Sequence, residues 1–200
     1  MTPRRKKWLF WSCLLTPVLA PLIFICLMGF NVFHAHEHCI KQAGLGFRTY
    51  AMDHGGMLPY DTNGFGNALL LLVKGGYLGD TDGVYSIGPI TGPGDKGEVF
   101  KRALKTGERI PEELCSRIYI QGLSETNDPQ IAILFDKKSC PGGDHFRRPW
   151  GPREREICLL DGSMQGVSDK RWPEFASNPV ELLVQAGIPR AAAKKYYQLP

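Results

Sequence analysis

Between Trp8 and Phe33 the chain carries 26 consecutive residues without a charged side chain, WLFWSCLLTPVLAPLIFICLMGFNVF. No other feature restricts the fold as much. As a helix the run would be about 39 Å long, more than the roughly 30 Å of a bilayer's hydrocarbon core. It predicts a transmembrane helix over 8–33. Pro17 and Pro21 would kink a soluble helix, but membrane spans tolerate proline. Arg4, Arg5, Lys6 and Lys7 precede the run, so residues 1–7 read as a basic cytoplasmic tail and the rest of the chain as exported. A secreted protein with a cleaved signal peptide is the competing reading. A signal's apolar region is ordinarily about 7–15 residues and ends on small residues in an A-x-A pattern. Here the best site, after Ala35, has Phe33 at the outer specificity position, so an uncleaved anchor is expected.

The tail also accounts for the charge. There are 24 Lys and Arg against 20 Asp and Glu, and the four tail residues make up the whole excess. The exported part is therefore neutral. A nucleic-acid-binding face needs clustered basic charge, so no nucleic-acid partner is expected.

After the span, Ile40, Ala43, Phe47 and Tyr50 recur at helical spacing and predict a helix from 34 to about 53 that continues the membrane helix. Gly44 and Gly46 weaken it by about 1 kcal/mol each relative to alanine. The triplet HGG (54–56) should stop it. Asn67 reads as the cap of a short helix, ALLLLVK, ending at Gly75-Gly76. From 77 to 115 the chain is rich in glycine and turns, and long irregular connections are expected. Strand-like runs follow: RIYIQG (117–122), QIAILFD (130–136) and REICLL (155–160). The segment LLDGSM reads as a hairpin whose Asp-Gly suits a two-residue turn with positive φ angles, with SMQGVS returning. NPVELLVQAGI reads as a closing helix, with Asn178 as cap, Pro179 at its first position and Gly187 at its end. The layout is α+β: a long N-terminal helix, part spanning and part exported, packed on a small antiparallel sheet, with a C-terminal helix. The exported domain is expected over 34–190, followed by a tail at 191–200.

The segment CIKQAGLGFRTYAMDHGGMLP (39–59) resembles type IV pilin-like proteins, in particular the divergent type II secretion pseudopilin-like branch. Those chains read C-L-x-N-L-x-Q, then small and apolar residues, then Y-x-x-D-x-x-G-x-x-P. Cys39, Gln42, Tyr50, Asp53, Gly56 and Pro59 fall on that pattern. Tyr119, GLSETNDP (122–129), ILFD (133–136) and ICLLDGSM (157–164) are similar to the family's second half, with Asp161 and Gly162 in its L-x-D-G-x-V hairpin. The resemblance implies a non-enzymatic structural or interaction role in the bacterial envelope. It places the chain in the inner, cytoplasmic membrane as a single-pass protein with an exported C-terminal domain. Its partners would be the lipid bilayer and other envelope or secretion-system proteins. Filament subunits carry G-F-T-L-I-E-L after a basic leader. Here Gly29-Phe30 is the only Gly-Phe pair in the span, at its far end, and His34 stands at the glutamate position. A pilin-like domain on a fixed anchor is therefore expected rather than a processed subunit.

Chemistry is sparse. His34, His36 and His38 crowd into HAHEHC (34–39). On a helix His34 and His38 share one face and could bind zinc, which gives an alternative reading as an anchored metal-binding or enzymatic module. Without H-E-x-x-H, the six residues are better read as a polar collar where lipid ends. Cys13 and Cys26 lie in the span. Cys39, Cys115, Cys140 and Cys158 lie in the exported part, where disulfides are permitted and three complete pairings are possible. A Cys115–Cys140 bridge is the first to test, because Cys140 sits in a turn and Cys115 precedes a strand. DTDG (80–83), and ETNDP (125–129) with Asp136, could offer oxygen ligands to calcium, but turn chemistry explains them equally well. Neither His54 nor His145 has a nucleophile at a recognised spacing. No catalytic residue and no cofactor is expected.

Overall fold

The computed structural model describes residues 19–21, 40–79, 95–115, 117–141 and 153–198. The chain divides into two compact units, 1–35 and 36–200. In the first, residues 19–21 are described, and they are helical and exposed. The expected span (8–33) and basic tail otherwise lie outside the described residues. No helix among those described is long and apolar enough to cross a membrane.

In the second unit, helix α1 covers 40–53. Ile40, Ala43, Phe47 and Ala51 are fully buried and form one face at the expected spacing. The helix stops where Gly55 and Gly56 take φ of +63° and +83°, a conformation that is easy only for glycine. α2 (Phe65–Lys74) starts ahead of its expected cap, after Gly64. Asn67 is instead buried within the helix, where its Oδ1 accepts from the Ile110 amide at 2.9 Å and its Nδ2 donates to the Glu108 carbonyl at 3.1 Å. It satisfies backbone groups of a neighbouring loop rather than of its own helix. Within the stretch expected to be irregular lies α3 (Asp95–Thr106). It forms because Phe100 and Ala103 supply a buried face of one turn. A short 3-10 turn, Glu112–Leu114, leads into the sheet.

The five-stranded sheet comprises β1 (Arg117–Tyr119), β2 (Ala132–Asp136), β3 (Cys140–Pro141), β4 (Arg153–Leu159) and β5 (Met164–Ser168). Every pairing is antiparallel. Cys158 pairs with Leu134 on one side and Met164 on the other, and Glu154 with Cys140 and Ser168. β2 and the two-residue β3 thus share one edge of β4, and β5 takes the other. The β4–β5 connection differs from the two-residue turn expected. Leu159 and Ser163 are joined by a backbone hydrogen bond, and only Gly162 has positive φ, +81°. Three residues, Leu160 to Gly162, therefore lie inside this closing pair, with glycine in the left-handed position.

Register assigns the two faces. Tyr119, Leu134 and Cys158 align across β1, β2 and β4, and this face carries α1. The Phe47 ring stacks on Tyr119 at 4.7 Å. A Cβ on Gly44 would come within 2.9 Å of Cys158 Sγ, and one on Gly46 within 3.0 Å of Leu78. The two glycines that weaken the helix locally are what lets it approach β4 and the 77–78 segment. Ile118, Phe135 and Ile157 align on the other face, which the C-terminal helices cover.

α4 (Trp172–Gln185) begins earlier than expected, with Pro173 at its start and Asn178-Pro179 inside it. Trp172 is the anchor. Its ring lies 5.7 Å from Phe135, and the Arg155 guanidinium sits 4.6 Å above it. The expected end at Gly187 holds, with φ +90°. Residues 191–200, expected as a tail, mostly belong to α5 (Arg190–Tyr197). Tyr197 explains the correction. It is buried, stacks on Phe135 at 5.0 Å and donates its hydroxyl to the Ala132 carbonyl at 3.2 Å.

Candidate functional site

The motif residues converge where α1 ends. Tyr50 stacks on His54 with ring centroids 3.7 Å apart, and the His54 Nδ1 donates to the Tyr50 carbonyl at 2.8 Å. Tyr77 packs edge-on against Tyr50 and donates its hydroxyl to Asp53 at 2.9 Å. That bond raises the Tyr77 hydroxyl above its ordinary range. Gly56 turns the chain back, and its carbonyl accepts from the Glu125 amide at 2.8 Å. The Leu58 amide donates to Leu123 at 3.0 Å, so the loop after α1 is stitched to the loop between β1 and β2. Pro59 is buried, and its carbonyl accepts the Tyr119 hydroxyl at 2.9 Å.

Asp161 and Gly162 approach α1 from the β4–β5 turn. Arg48 donates to the Asp161 carbonyl at 3.3 Å, and its Cδ lies 3.2 Å from where a Gly162 Cβ would be. The Asp161 carboxylate accepts from Ser163. Hydrogen bonds from the Ser163 side chain and backbone hold its carboxyl below the usual range. Gln42 is half-buried on α1. Tyr50 and Asp53 thus tie the end of α1 to Tyr77, Gly56 and Pro59 tie the loop after it to the β1–β2 connection and to β1, and Asp161 meets α1 from the β4–β5 turn through Arg48.

Under the same face, toward the other end of the strands, lies a charge cluster that sequence reasoning missed. Arg117 is fully buried. Its Nε donates to Asp136 at 3.0 Å, and its Nη2 lies 3.9 Å from Glu156. The second Asp136 oxygen accepts from the Glu156 amide at 2.9 Å. Charges taken from water remain ionised only when paired and hydrogen-bonded, and the Arg117–Asp136 pair meets both conditions. The signal was present: Arg117 and Asp136 stand in phase with Tyr119 and Leu134, where alternation calls for apolar residues. Asp136 is thereby committed to Arg117, while Asn127 and Asp128 accept backbone amides of their own turn.

His34, His36, His38, Cys39 and the DTDG carboxylates lie outside the described residues, as do His145 and the Cys140 side chain. Cys115 is buried. Cys158 is a free, fully buried thiol, pushed up to about 12 by burial. Among the described residues no three His, Cys, Asp or Glu side chains gather to hold a metal ion. Around α1, Leu45, Met52, Met57 and Tyr60 are exposed. No protein-family model, curated protein or solved structure matches the chain.

Proposed function

We propose that this protein is a membrane-anchored, non-catalytic interaction module of pilin-like design, held in a bacterial inner membrane by residues 8–33 with its body exported. One observation carries the reading. The described part of α1 lies along an antiparallel sheet; the motif residues Pro59 and Asp161 join it or the loop after it to a strand or a strand turn, and Tyr50 and Asp53 engage Tyr77. Residues spent on holding a helix to a sheet are not free to act on a substrate. The uncharged run from Trp8 to Phe33 and the basic residues before it support the anchor and its orientation.

The test uses the full chain expressed in a bacterium. After alkaline carbonate washing the protein should stay in the membrane pellet, with its body open to protease only from the exported side. Release into the wash, or an intact mass that begins near residue 36, would overturn the anchor. Stoichiometric zinc, lost on His34→Ala and His38→Ala, would replace the interaction reading with the metal-binding one.

A further inference from the structure

Among the described residues β5 pairs with β4 alone, so its other side is an edge of the sheet. Register decides which groups line that edge. In an antiparallel pair, hydrogen-bonded and non-hydrogen-bonded positions alternate. The Leu159 amide donates to the Ser163 carbonyl, which makes Ile157 with Gln165 and Arg155 with Val167 the bonded pairs of the ladder. The Glu156 amide fixes the same phase, because it turns away from β5 to Asp136. The backbone groups of Met164, Gly166 and Ser168 therefore face outward. The Ser168 carbonyl accepts from the Arg171 amide at 3.0 Å, whereas those of Met164 and Gly166 meet no partner among the described residues. Gly166 is exposed, and what a glycine exposes is backbone. Native edges are ordinarily blunted by charge, proline or a bulge. Residues 163–168, SMQGVS, hold neither charge nor proline, and the register of β5 on β4 is unbroken.

We propose that the outer edge of β5 is where two copies of this chain associate, strand against antiparallel strand, about a two-fold axis at Gly166. This contact gives the module proposed above a partner and does not depend on its anchor. Two observations select a second copy as the occupant. The first is that the edge complements itself. With Gly166 on the axis, Gly166 faces its own copy and Met164 faces Ser168, all at outward-bonding positions, so amides meet carbonyls. The Ser168 carbonyl still has a second lone pair to offer. Gln165 stands opposite Val167, so no like charges oppose each other within the strand. The second observation is charge at the ends. The turn before β5 carries Asp161, the turn after it Lys170 and Arg171, and all three are exposed. Antiparallel pairing brings Asp161 of one copy beside Lys170 and Arg171 of the other, at both ends. Parallel pairing would set like against like. Asp169 is already engaged by Ser139 and Arg155. One group opposes the contact. A Cβ on Gly166 would lie 2.6 Å from the Glu154 carboxylate, so two such carboxylates flank the axis. An edge of five residues is small, which puts the pair among weak, concentration-dependent interfaces.

The test is amide hydrogen exchange of the full chain in detergent, read residue by residue in dilute and in concentrated samples, with the mass followed by sedimentation. The Gln165 and Val167 amides, bonded to β4, should be protected in both. The Met164 and Gly166 amides should exchange freely when dilute and about tenfold more slowly when concentrated, in step with a rise from one copy to two. Met164→Pro removes an outward amide, a change that an edge strand accepts on its solvent side. It should abolish the concentration dependence and leave Gln165 and Val167 protected. Lys170→Glu with Arg171→Glu should weaken association about tenfold, and Glu154→Gln should strengthen it. Free exchange of Met164 and Gly166 at every concentration would overturn the proposal. Protection already complete in the dilute monomer would do the same, since it marks a cover from within the chain. So would a dimer that survives Met164→Pro, which marks another surface. Equal protection by an added peptide that scrambles the order of residues 161–171 would sink the choice of a second copy.

Discussion

Gly44 offers a test of how α1 meets the sheet. By helix propensity alone, Gly44→Ala should stabilise the protein by about 1 kcal/mol. The structure opposes that gain, because the added Cβ would lie 2.9 Å from Cys158 Sγ. Cys158 is fully buried on β4, between β2 and β5, so neither partner has room to move aside. Overpacking of this kind costs about 1–3 kcal/mol, and Gly44→Ala alone should be neutral to about 2 kcal/mol destabilising. Cys158→Ala removes the sulfur at a cost of about 1 kcal/mol. In that background the alanine at 44 finds space, and the same Gly44→Ala change should stabilise. The expected coupling is about 1–3 kcal/mol, favouring the double variant over the sum of the singles. Urea titration of the full chain in detergent, followed by far-ultraviolet circular dichroism, measures all four corners. Gly46→Ala, whose Cβ would meet Leu78 instead, is the control and should not couple to position 158. Singles that add to within about 0.5 kcal/mol would refute a close approach of α1 to β4 at this point.

Other perturbations reach other parts of the fold. Asp136→Asn removes one partner of the fully buried Arg117 and should cost about 3–5 kcal/mol in the same titration, while Arg117→Met combined with Asp136→Leu should cost far less. Tyr197→Phe removes the hydrogen bond to the Ala132 carbonyl and should cost about 1 kcal/mol; Tyr197→Ala also removes the ring from Phe135 and should cost about 3–5 kcal/mol. Burial pushes the Cys158 thiol up to about 12, above its value in the unfolded chain. Its contribution to stability is therefore complete below about pH 8.5 and is lost as pH rises toward 12, so Cys158→Ala should flatten the alkaline slope of stability. Gly56→Ala meets no atom within 4 Å but has φ +83°, so it should cost about 1–2 kcal/mol from backbone strain alone, whereas Leu45→Ser and Met52→Ser should stay within about 0.5 kcal/mol.

What could be read from the sequence follows how local its cause was. The run Ile40, Ala43, Phe47 and Tyr50, the stop at Gly55-Gly56 and the strands around Ile118, Ile133 and Ile157 each announce themselves within a few residues, and the structure has them within one to three residues of the expected bounds. The errors came where a residue serves a distant partner. Asn67 read as a cap because asparagine usually caps; here it holds Ile110 and Glu108, more than forty residues away. Asn178-Pro179 read as a helix start, but the helix begins nearly two turns earlier, at Trp172, whose ring packs on Phe135 and Arg155. Tyr197 looked like part of a tail because nothing near it shows that Phe135 needs a cover. Gly44 and Gly46 looked like weaknesses because the sulfur of Cys158 and the side chain of Leu78 cannot be seen from inside one helix.

The same logic separates structure from function at the seam. Tyr50, Asp53, Gly56 and Pro59 have their hydrogen-bonding groups, ring faces or backbone conformation taken up inside the domain. A side chain whose interactions are already satisfied has little left to offer a partner, since any new contact must first break an existing one. Recognition therefore falls to groups that the fold leaves free. On α1 these are the solvent-facing positions between Lys41 and Met52, whose exposed apolar groups the helix does not need for its own packing. The fold uses Arg48 on that outer surface to hold the Asp161 carbonyl, and it leaves Leu45 and Met52 exposed.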